Sequence, residues 1–429
     1  MPALPPVYRM QLSTLGALCL GLLVVAGCQP KSAAPPVRTG AEVLAANDFR
    51  ALDGARVGLI VNHTARVDTA HLIDRVDRAP NVELGALFGP EHGLRGTAGA
   101  GETVADGHDE RTGAPIYSLY GDSPRPTPAE MTGLDALVFD VQDVGTRFYT
   151  YITTMGLAMQ AAAEADLRFV VLDRPNPLGG RYVSGFMMEP AHQSFVGRYP
   201  IPVAHGMTVG ELARFIKADG LLPGLQDLDL TVVPMTGWSR DMQWPDTQRE
   251  WTPPSPNLPT WETALVYPGM CFFEGVHVSE GRGSDHPFLQ IGLPWGPDAA
   301  QAVVDTLRSR SVPGVAFDTT SFTPTSRPQA APTPRFEGQM LHGFRLRVTD
   351  PDAVRPVELG VHALQATHRR AQVEGDTAFV SRPDHFTRLA GTEALRTLLA
   401  NGASPDSIIA AWRNEVSAFR NRRAPHLLY

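Results

Sequence analysis

Residues Gly89-Pro90-Glu91-His92-Gly93-Leu94-Arg95-Gly96 place a carboxylate beside an imidazole on a glycine-bounded turn. These two groups can deliver or accept a proton, the currency of general acid–base chemistry. Glu91 is the candidate general acid or base, against the plainer reading of a carboxylate that caps the following turn. His92 either shares the proton work or only orients the loop. Tyr117 and Tyr120 lie in Ile116-Tyr117-Ser118-Leu119-Tyr120-Gly121. On a strand that spacing turns them to opposite faces, so one belongs to the core. Tyr120, beside a glycine, is assigned to the cleft.

Further candidates follow along the chain. Asp143 can position a substrate hydroxyl or a water, or can cap a helix with Arg147 as its ion-pair partner. Arg147 can instead grip an anionic substrate group through its planar fork. Asn62, Tyr149, His205 and the pair Glu280 and Arg282 complete the expected substrate contacts; the last two sit in the glycine-spaced, charged stretch Glu280-Gly281-Arg282-Gly283-Ser284-Asp285-His286-Pro287-Phe288, read as a loop able to close over a ligand. Thr208 and Glu211 have capping-box spacing, which makes Glu211 structural. Asp173 and Arg174 read as a structural pair. Trp238, Trp244, Trp251 and Trp261 are dense enough for a sugar-stacking wall, with one or two of them in the core.

The elements that must hold these residues alternate strand and helix. Residues 56–61 (RVGLIV), 82–88 (VELGALF), 136–141 (ALVFDV) and 169–172 are short apolar runs of strand length. Helical patterns fall at 69–78 and 150–165. Strands separated by helices imply parallel pairing with right-handed crossovers, hence a Rossmann-like layered α/β domain. Parallel pairing sends every strand's carboxyl end to one edge, where ligands bind. Asn62, Glu91 with His92, Asp143, and Asp173 with Arg174 all follow such runs, which gathers them into one polar cleft. The phosphate-binding loop is missing: Gly93-Leu94-Arg95-Gly96 lacks the Gly-x-Gly-x-x-Gly spacing. No zinc spacing and no Gly-x-Ser-x-Gly elbow occurs, so neither a metal nor another cofactor is expected.

Proline recurs through 251–259 (WTPPSPNLP) and fixes its backbone as a rigid connector. Beyond it, a strand at 344–348, a helix at 356–370 and a last helix with Ser404 as N-cap and Pro405 behind it read as a smaller α+β domain. At the other end, one early Arg9 precedes an apolar run from 15 to 26 that closes on Val25-Ala26-Gly27-Cys28. The run is too short to span a bilayer and fits a lipoprotein signal peptide, with Cys28 as the lipidated residue. The proline-bearing stretch after it reads as a tether. The expected organisation is therefore 1–27 signal peptide, 28–45 tether, 46–258 Rossmann-like domain and 259–429 C-terminal α+β domain. It predicts a cell-envelope protein, anchored by lipid and facing the periplasm from the outer membrane. The 429 residues are 43% apolar, carry a formal charge of −8 and show no basic patch. That argues against nucleic acid as a partner.

Taken in order, FGPEHGLRG, IYSLYG, FDVQDVGTRFYTYITTM, LDRPNPLGG, HGMTVGELA, WTPPSPNLPT, YPGMCFFEG, VSEGRGSDHPF and the terminal LLY resemble the NamZ-type exo-β-N-acetylmuramidase family of peptidoglycan hexosaminidases. The resemblance covers about residues 50 to 429. It implies two domains with the site between them, and removal of β-1,4-linked N-acetylmuramic acid from the non-reducing end of cell-wall fragments. The family's glutamate falls on Glu91 and its tyrosine on Tyr120. The chain departs from the family pattern at Gly283-Ser284 and Phe288-Leu289, which bears on that loop's substrate contacts. A glycosidase needs a proton donor to the leaving oxygen and usually a second group. Glu91 is the expected acid; Asp143, Tyr120 or the substrate's own N-acetyl group remain open for the second role. Arg147 or Arg282 is the expected partner of the lactyl carboxylate. A non-catalytic cell-wall-sugar binder, or an esterase or amidase with the same cleft, are the competing readings.

Overall fold

The structure, a computed structural model, describes residues 1–7, 36–91, 93–94, 107–121 and 123–429. The signal-peptide core, Cys28, His92 and Arg95 lie outside the described residues. Pro36–Tyr429 form one compact unit.

That unit starts earlier than the sequence suggests. Helix α1 (Gly40–Ala46) lies within the stretch expected to be tether. The Thr39 side chain caps the amide of Glu42 while the Glu42 carboxylate returns to the Thr39 amide, and Ala41 and Leu44 are buried. This reciprocal cap fixes a helix too short to announce itself by periodicity. A side chain on Gly40 would sit 2.4 Å from the Asp173 amide and from the Val233 carbonyl oxygen, so the start of the helix abuts the sheet's backbone.

A sheet of seven strands forms the frame. In chain order, β1 (Arg56–Val61) leads to the small hairpin β2 (Arg66–Val67) and β3 (Ala70–His71), then α2 (Leu72–Asp77) and β4 (Glu83–Gly89). Strands β5 (Gly107–His108), β6 (Pro115–Ser118) and β7 (Ala136–Asp140) follow. Helix α3 (Tyr151–Glu164), β8 (Arg168–Leu172), the hairpin β9 (Ser184–Met187) and β10 (Pro202–Ala204), α4 (Val209–Ala218) and β11 (Leu230–Val233) complete this half. The sheet order is β11-β8-β7-β1-β4-β6-β5, and every pair is parallel except β5 with β6. The chain builds outward from β1 through β4 to β6, then restarts on the other side at β7, so the order reverses between β1 and β7. That reversal opens a crevice at the strands' carboxyl ends. Alternate residues of β1 feed two cores: Ile60 joins Phe88, Phe139 and α3, whereas Leu59 and Val61 join Val138, Val170 and α2. A strand covered on both faces by helices reads as an unbroken apolar run, as RVGLIV does.

In the second half, α5 (Trp261–Met270) precedes β12 (Gln290–Leu293), α6 (Pro297–Ser309), β13 (Val315–Phe322), β14 (Leu341–Val348), α7 (Pro356–Val373) and α8 (Pro383–Ala390). The three strands form an antiparallel sheet with β14 central. Gly269 and Gly360 bring α5 and α7 into backbone contact: a Cβ on Gly269 would lie 2.0 Å from the Pro356 carbonyl oxygen. The last helix expected from sequence is two, α10 (Pro405–Ala411) and α11 (Arg413–Arg423), after α9 (Ala394–Ala400). Ser404 caps α10 as read. The break falls at Trp412, whose buried ring packs edge-on against Phe186 at 5.0 Å. Burying that indole wins over continuing the helix.

Candidate active site

Glu91 follows β4 on a turn closed by the Gly93 amide donating to the Pro90 carbonyl at 2.8 Å, with Gly93 at φ +69°. The Leu119 amide donates to the Gly89 carbonyl at 2.8 Å, which draws the Tyr120 segment alongside. Two hydroxyls hold the Glu91 carboxyl. Thr150 Oγ1 donates to Oε2 at 2.6 Å, and the Tyr120 hydroxyl donates from the other element. Burial and the neighbouring Glu91 charge push Tyr120 up to about 12, so it keeps its proton at neutral pH and acts as a donor. The Tyr151 hydroxyl shares its proton between the carbonyls of Pro254, at 2.8 Å, and Glu91, at 3.3 Å, while accepting from Asn62 Nδ2 at 3.0 Å. The proline connector is thereby fastened to the Glu91 turn.

Asn62 is wholly buried, and its oxygen accepts from the Thr64 amide and hydroxyl. It braces Tyr151, and so acts one residue removed from the expected substrate contact. Asp143, at the end of β7, receives the Gly145 amide on Oδ2 at 2.7 Å, and its other oxygen has no partner. Burial pushes its carboxyl up to about 7, against the pull of the Gly145 and Val144 amides. His205 Nε2 stands 3.9 Å from Asp143 Oδ2. Tyr149 packs edge-on against Tyr151 at 4.9 Å and against Tyr267 at 6.1 Å, which joins the two halves of the cleft.

Arg147 is a correction. It is fully buried, and its guanidinium donates to the carbonyls of Phe186, Ile201 and Leu389 at 2.7, 3.0 and 2.8 Å. Among the described residues no carboxylate pairs with it, so neither an Asp143 ion pair nor a fork around a substrate anion exists there. The sequence shows an arginine beside an aspartate; it does not show three distant backbone carbonyls that the fold turns toward the guanidinium. Asp173 and Arg174 serve structure, but not as a pair with each other. Arg174 forks onto Asp140 at 2.5 and 3.0 Å, and Asp173 accepts from Thr208, the Gly210 amide and Tyr429. Glu211 forms the anticipated capping box and also meets Arg240.

The Glu280–Phe288 loop is packed down. Arg282 Nη2 lies 2.7 Å from Glu274, its Nε lies 3.5 Å from Glu280, and the guanidinium covers the Phe288 ring at 5.2 Å. Burial alone would raise Glu274, but Arg282 and His385 hold its carboxyl down at about 2. Burial raises Glu280, with Arg282 opposing, and its Oε2 is unpartnered. Three of the four tryptophans, Trp238, Trp244 and Trp261, are core, and Trp251 packs on Trp244 at 4.9 Å, so no tryptophan wall forms. An aromatic wall stands elsewhere: Tyr120, Gly121, Pro124 and Phe195 line a cavity of about 380 Å³, with Phe195 edge-on to Tyr120 at 6.0 Å. Thr150, Glu274 and Phe195 escaped the sequence reading. Thr150 is the one with a signal, since it immediately precedes a helix at the carboxyl edge.

A Rossmann-ordered sheet whose carboxyl edge carries a doubly held glutamate, closed by an α+β half, matches a known family over nearly its whole length. The N-terminal pattern of exo-β-N-acetylmuramidase NamZ fits residues 57–262 and the C-terminal pattern fits 265–429. The chain belongs to that family. It is 42% identical over 421 residues to the peptidoglycan β-N-acetylmuramidase NamZ of Bacillus subtilis (strain 168), covering 96% of this chain and 98% of that one. Two crystal structures of DUF1343 family proteins from Bacteroides fragilis NCTC 9343 superpose with TM-scores of 0.83 and 0.74. Both are 34% identical, with 92% of this chain and 99% of theirs covered.

Proposed function

We propose that this chain is an exo-acting glycoside hydrolase that releases β-1,4-linked N-acetylmuramic acid from the non-reducing end of peptidoglycan fragments. The family and the Bacillus subtilis relative supply the substrate class. The observation that carries the reading is the Glu91 carboxyl, held by Thr150 and Tyr120 at the carboxyl edge of the sheet. Two donors fix its orientation. In the reaction Glu91 gives its proton to the bridging oxygen as the bond to the anomeric carbon breaks, and the remaining glycan leaves as an alcohol. Over the whole cycle one water supplies the hydroxyl that ends on the anomeric carbon and the proton that restores Glu91. Tyr120 keeps its own proton and steadies the carboxyl between turnovers. Glu91→Gln should lower turnover of an N-acetylmuramyl disaccharide by about 10³-fold or more, and far less for an aryl glycoside whose leaving group needs no proton. Near-normal hydrolysis of the disaccharide by this variant would remove Glu91 from the chemistry.

The amino-terminal residues support a further part of the proposal: lipid attachment at Cys28, which would hold the enzyme on the cell envelope, at the outer membrane facing the periplasm. An alkyne fatty acid fed to producing cells should label the native chain. Equal labelling of Cys28→Ser would refute that anchor.

A further inference from the structure

Three enclosed polar groups close to Glu91 lack partners: Asp143 Oδ1, His205 Nε2 and the Tyr149 hydroxyl. Their residues are 5%, 0% and 8% exposed. An enclosed group left this way is costly, and native proteins keep few of them without a ligand or water. The local geometry defines what fits. The Met207 amide donates to His205 Nδ1 at 3.2 Å, so the ring proton sits on Nε2. Burial first, then Arg423 and Arg147, push the ring down to about 3, which leaves it neutral with that single donor. Nε2 lies 3.9 Å from Asp143 Oδ2, beyond hydrogen-bond range. One oxygen set between Nε2 and this carboxyl, whose Oδ1 is unclaimed while Oδ2 holds the Gly145 amide, would serve both groups. A carbonyl satisfies the imidazole N–H, but it satisfies Asp143 only when that carboxyl carries its own proton. An ammonium fails the imidazole, whose N–H needs a lone pair. A hydroxyl serves both. Tyr149, whose hydroxyl lies near that of Tyr151 without a well-formed hydrogen bond, supplies a second donor.

We propose that Asp143 and His205, with Tyr149 beside them, bind the free 4-hydroxyl of the terminal sugar, and that the enclosure around this oxygen restricts the enzyme to chain ends. The inference rests on the glycosidase reading above. In a β-1,4-linked glycan, O4 is where the chain continues. A buried donor–acceptor gap admits O–H there and leaves no room for another ring. The segment 149–151 connects this gap to the acid: Thr150 holds Glu91, while the neighbouring Tyr149 sits close enough to Asp143 for its charge to be felt.

The test uses aryl β-N-acetylmuraminides with a 4-hydroxyl, a 4-deoxy or a 4-O-methyl group. The unaltered chain should lose roughly 100-fold or more in kcat/KM on the 4-deoxy compound, because both buried groups are then left unpaired, and should not turn over the 4-O-methyl compound. Tyr149→Phe deletes a hydroxyl that makes only a loose contact with Tyr151 among the described residues, so it should fold normally and cut the 4-hydroxyl preference about tenfold. Asp143→Leu should bring the two substrates within a few-fold of each other. A preference below about threefold in the unaltered chain, turnover of the 4-O-methyl compound, or variants that slow both substrates equally would each overturn the proposal. Calorimetric binding of free N-acetylmuramic acid and its 4-deoxy analogue to Glu91→Gln reads the same preference without turnover. A failure of the catalytic reading therefore stays distinguishable from a failure of this one.

Discussion

Replacing Arg147 by methionine separates a structural cation from a substrate ligand. Its guanidinium is buried and donates three hydrogen bonds to carbonyls in β9, in the segment ahead of β10, and in α8. Each such bond from a charged donor contributes about 1.5–3 kcal/mol. Burying the cation offsets a good part of that sum. Methionine fills most of the volume but removes the guanidinium donors from the carbonyls of Phe186, Ile201 and Leu389, of which Ile201 keeps the Met188 amide at 3.2 Å, so the net loss should be about 3–5 kcal/mol. Against a total stability of about 5–15 kcal/mol, that is a large fraction. Urea unfolding followed by tryptophan fluorescence should show a clearly lower midpoint. Gly391→Ala should move it the same way, because its Cβ would lie 2.6 Å from Arg147 Nη2 and its φ is +82°. The KM ratio between muramyl and glucosaminyl glycosides should not change for folded Arg147→Met. An unmoved midpoint together with a selective rise in KM for the muramyl substrate would refute the argument and restore Arg147 as the lactyl carboxylate's partner.

Thr150→Val removes the 2.6 Å donor to Glu91 and should cost about tenfold in kcat/KM, equivalent to about 1.4 kcal/mol, with the melting temperature nearly unchanged; full activity would show that Thr150 does not position the acid. Glu274 has a folded pKa of about 2, below its ordinary 4.5. Its contribution to stability is present above about 4.5 and is lost as pH falls through 2, so Glu274→Gln should flatten the fall of melting temperature between about pH 4.5 and 2. Asp143 has the opposite sign. With a folded pKa of about 7 against 3.8, its contribution is complete below about 3.8 and disappears as pH rises through 7. Asp143→Asn should therefore gain stability relative to the unaltered chain on going from pH 5 to 8 in calorimetry, and a constant difference would contradict the burial argument.

The parallel sheet was legible because a strand covered on both faces must be apolar throughout, and β1, β4, β7 and β8 come within a residue or so of the expected runs. From that alone the gathering of Asn62, Glu91, Asp143 and Asp173 at one edge followed, whereas Tyr120 was assigned to the cleft from its glycine neighbour. What each polar residue does there was less legible. Arg147, Asn62 and Arg282 are chemically able to bind a sugar acid, yet their partners are carbonyls, hydroxyls and carboxylates brought close only by the tertiary fold. Nothing in local spacing distinguishes a guanidinium that meets Leu389 from one that meets a ligand. The tryptophans misled for a related reason: an indole offers the same large apolar surface to a core as to a sugar. The helix at Gly40 and the break at Trp412 were hidden because a cap and a packing contact set them, and neither leaves a period in the sequence.

The hydrogen bond from Arg147 to the Leu389 carbonyl joins residues 242 positions apart. A polypeptide emerging from the ribosome carries the buried cation long before α8 exists to meet it. Until then one arm of the guanidinium must stay hydrated, and the pocket around it stays ajar. The amino-terminal half is thus a poor candidate for early, independent folding, although it contains the complete parallel sheet. Severing the chain near residue 263 and producing the halves separately should give two fragments that become protease-resistant only when mixed.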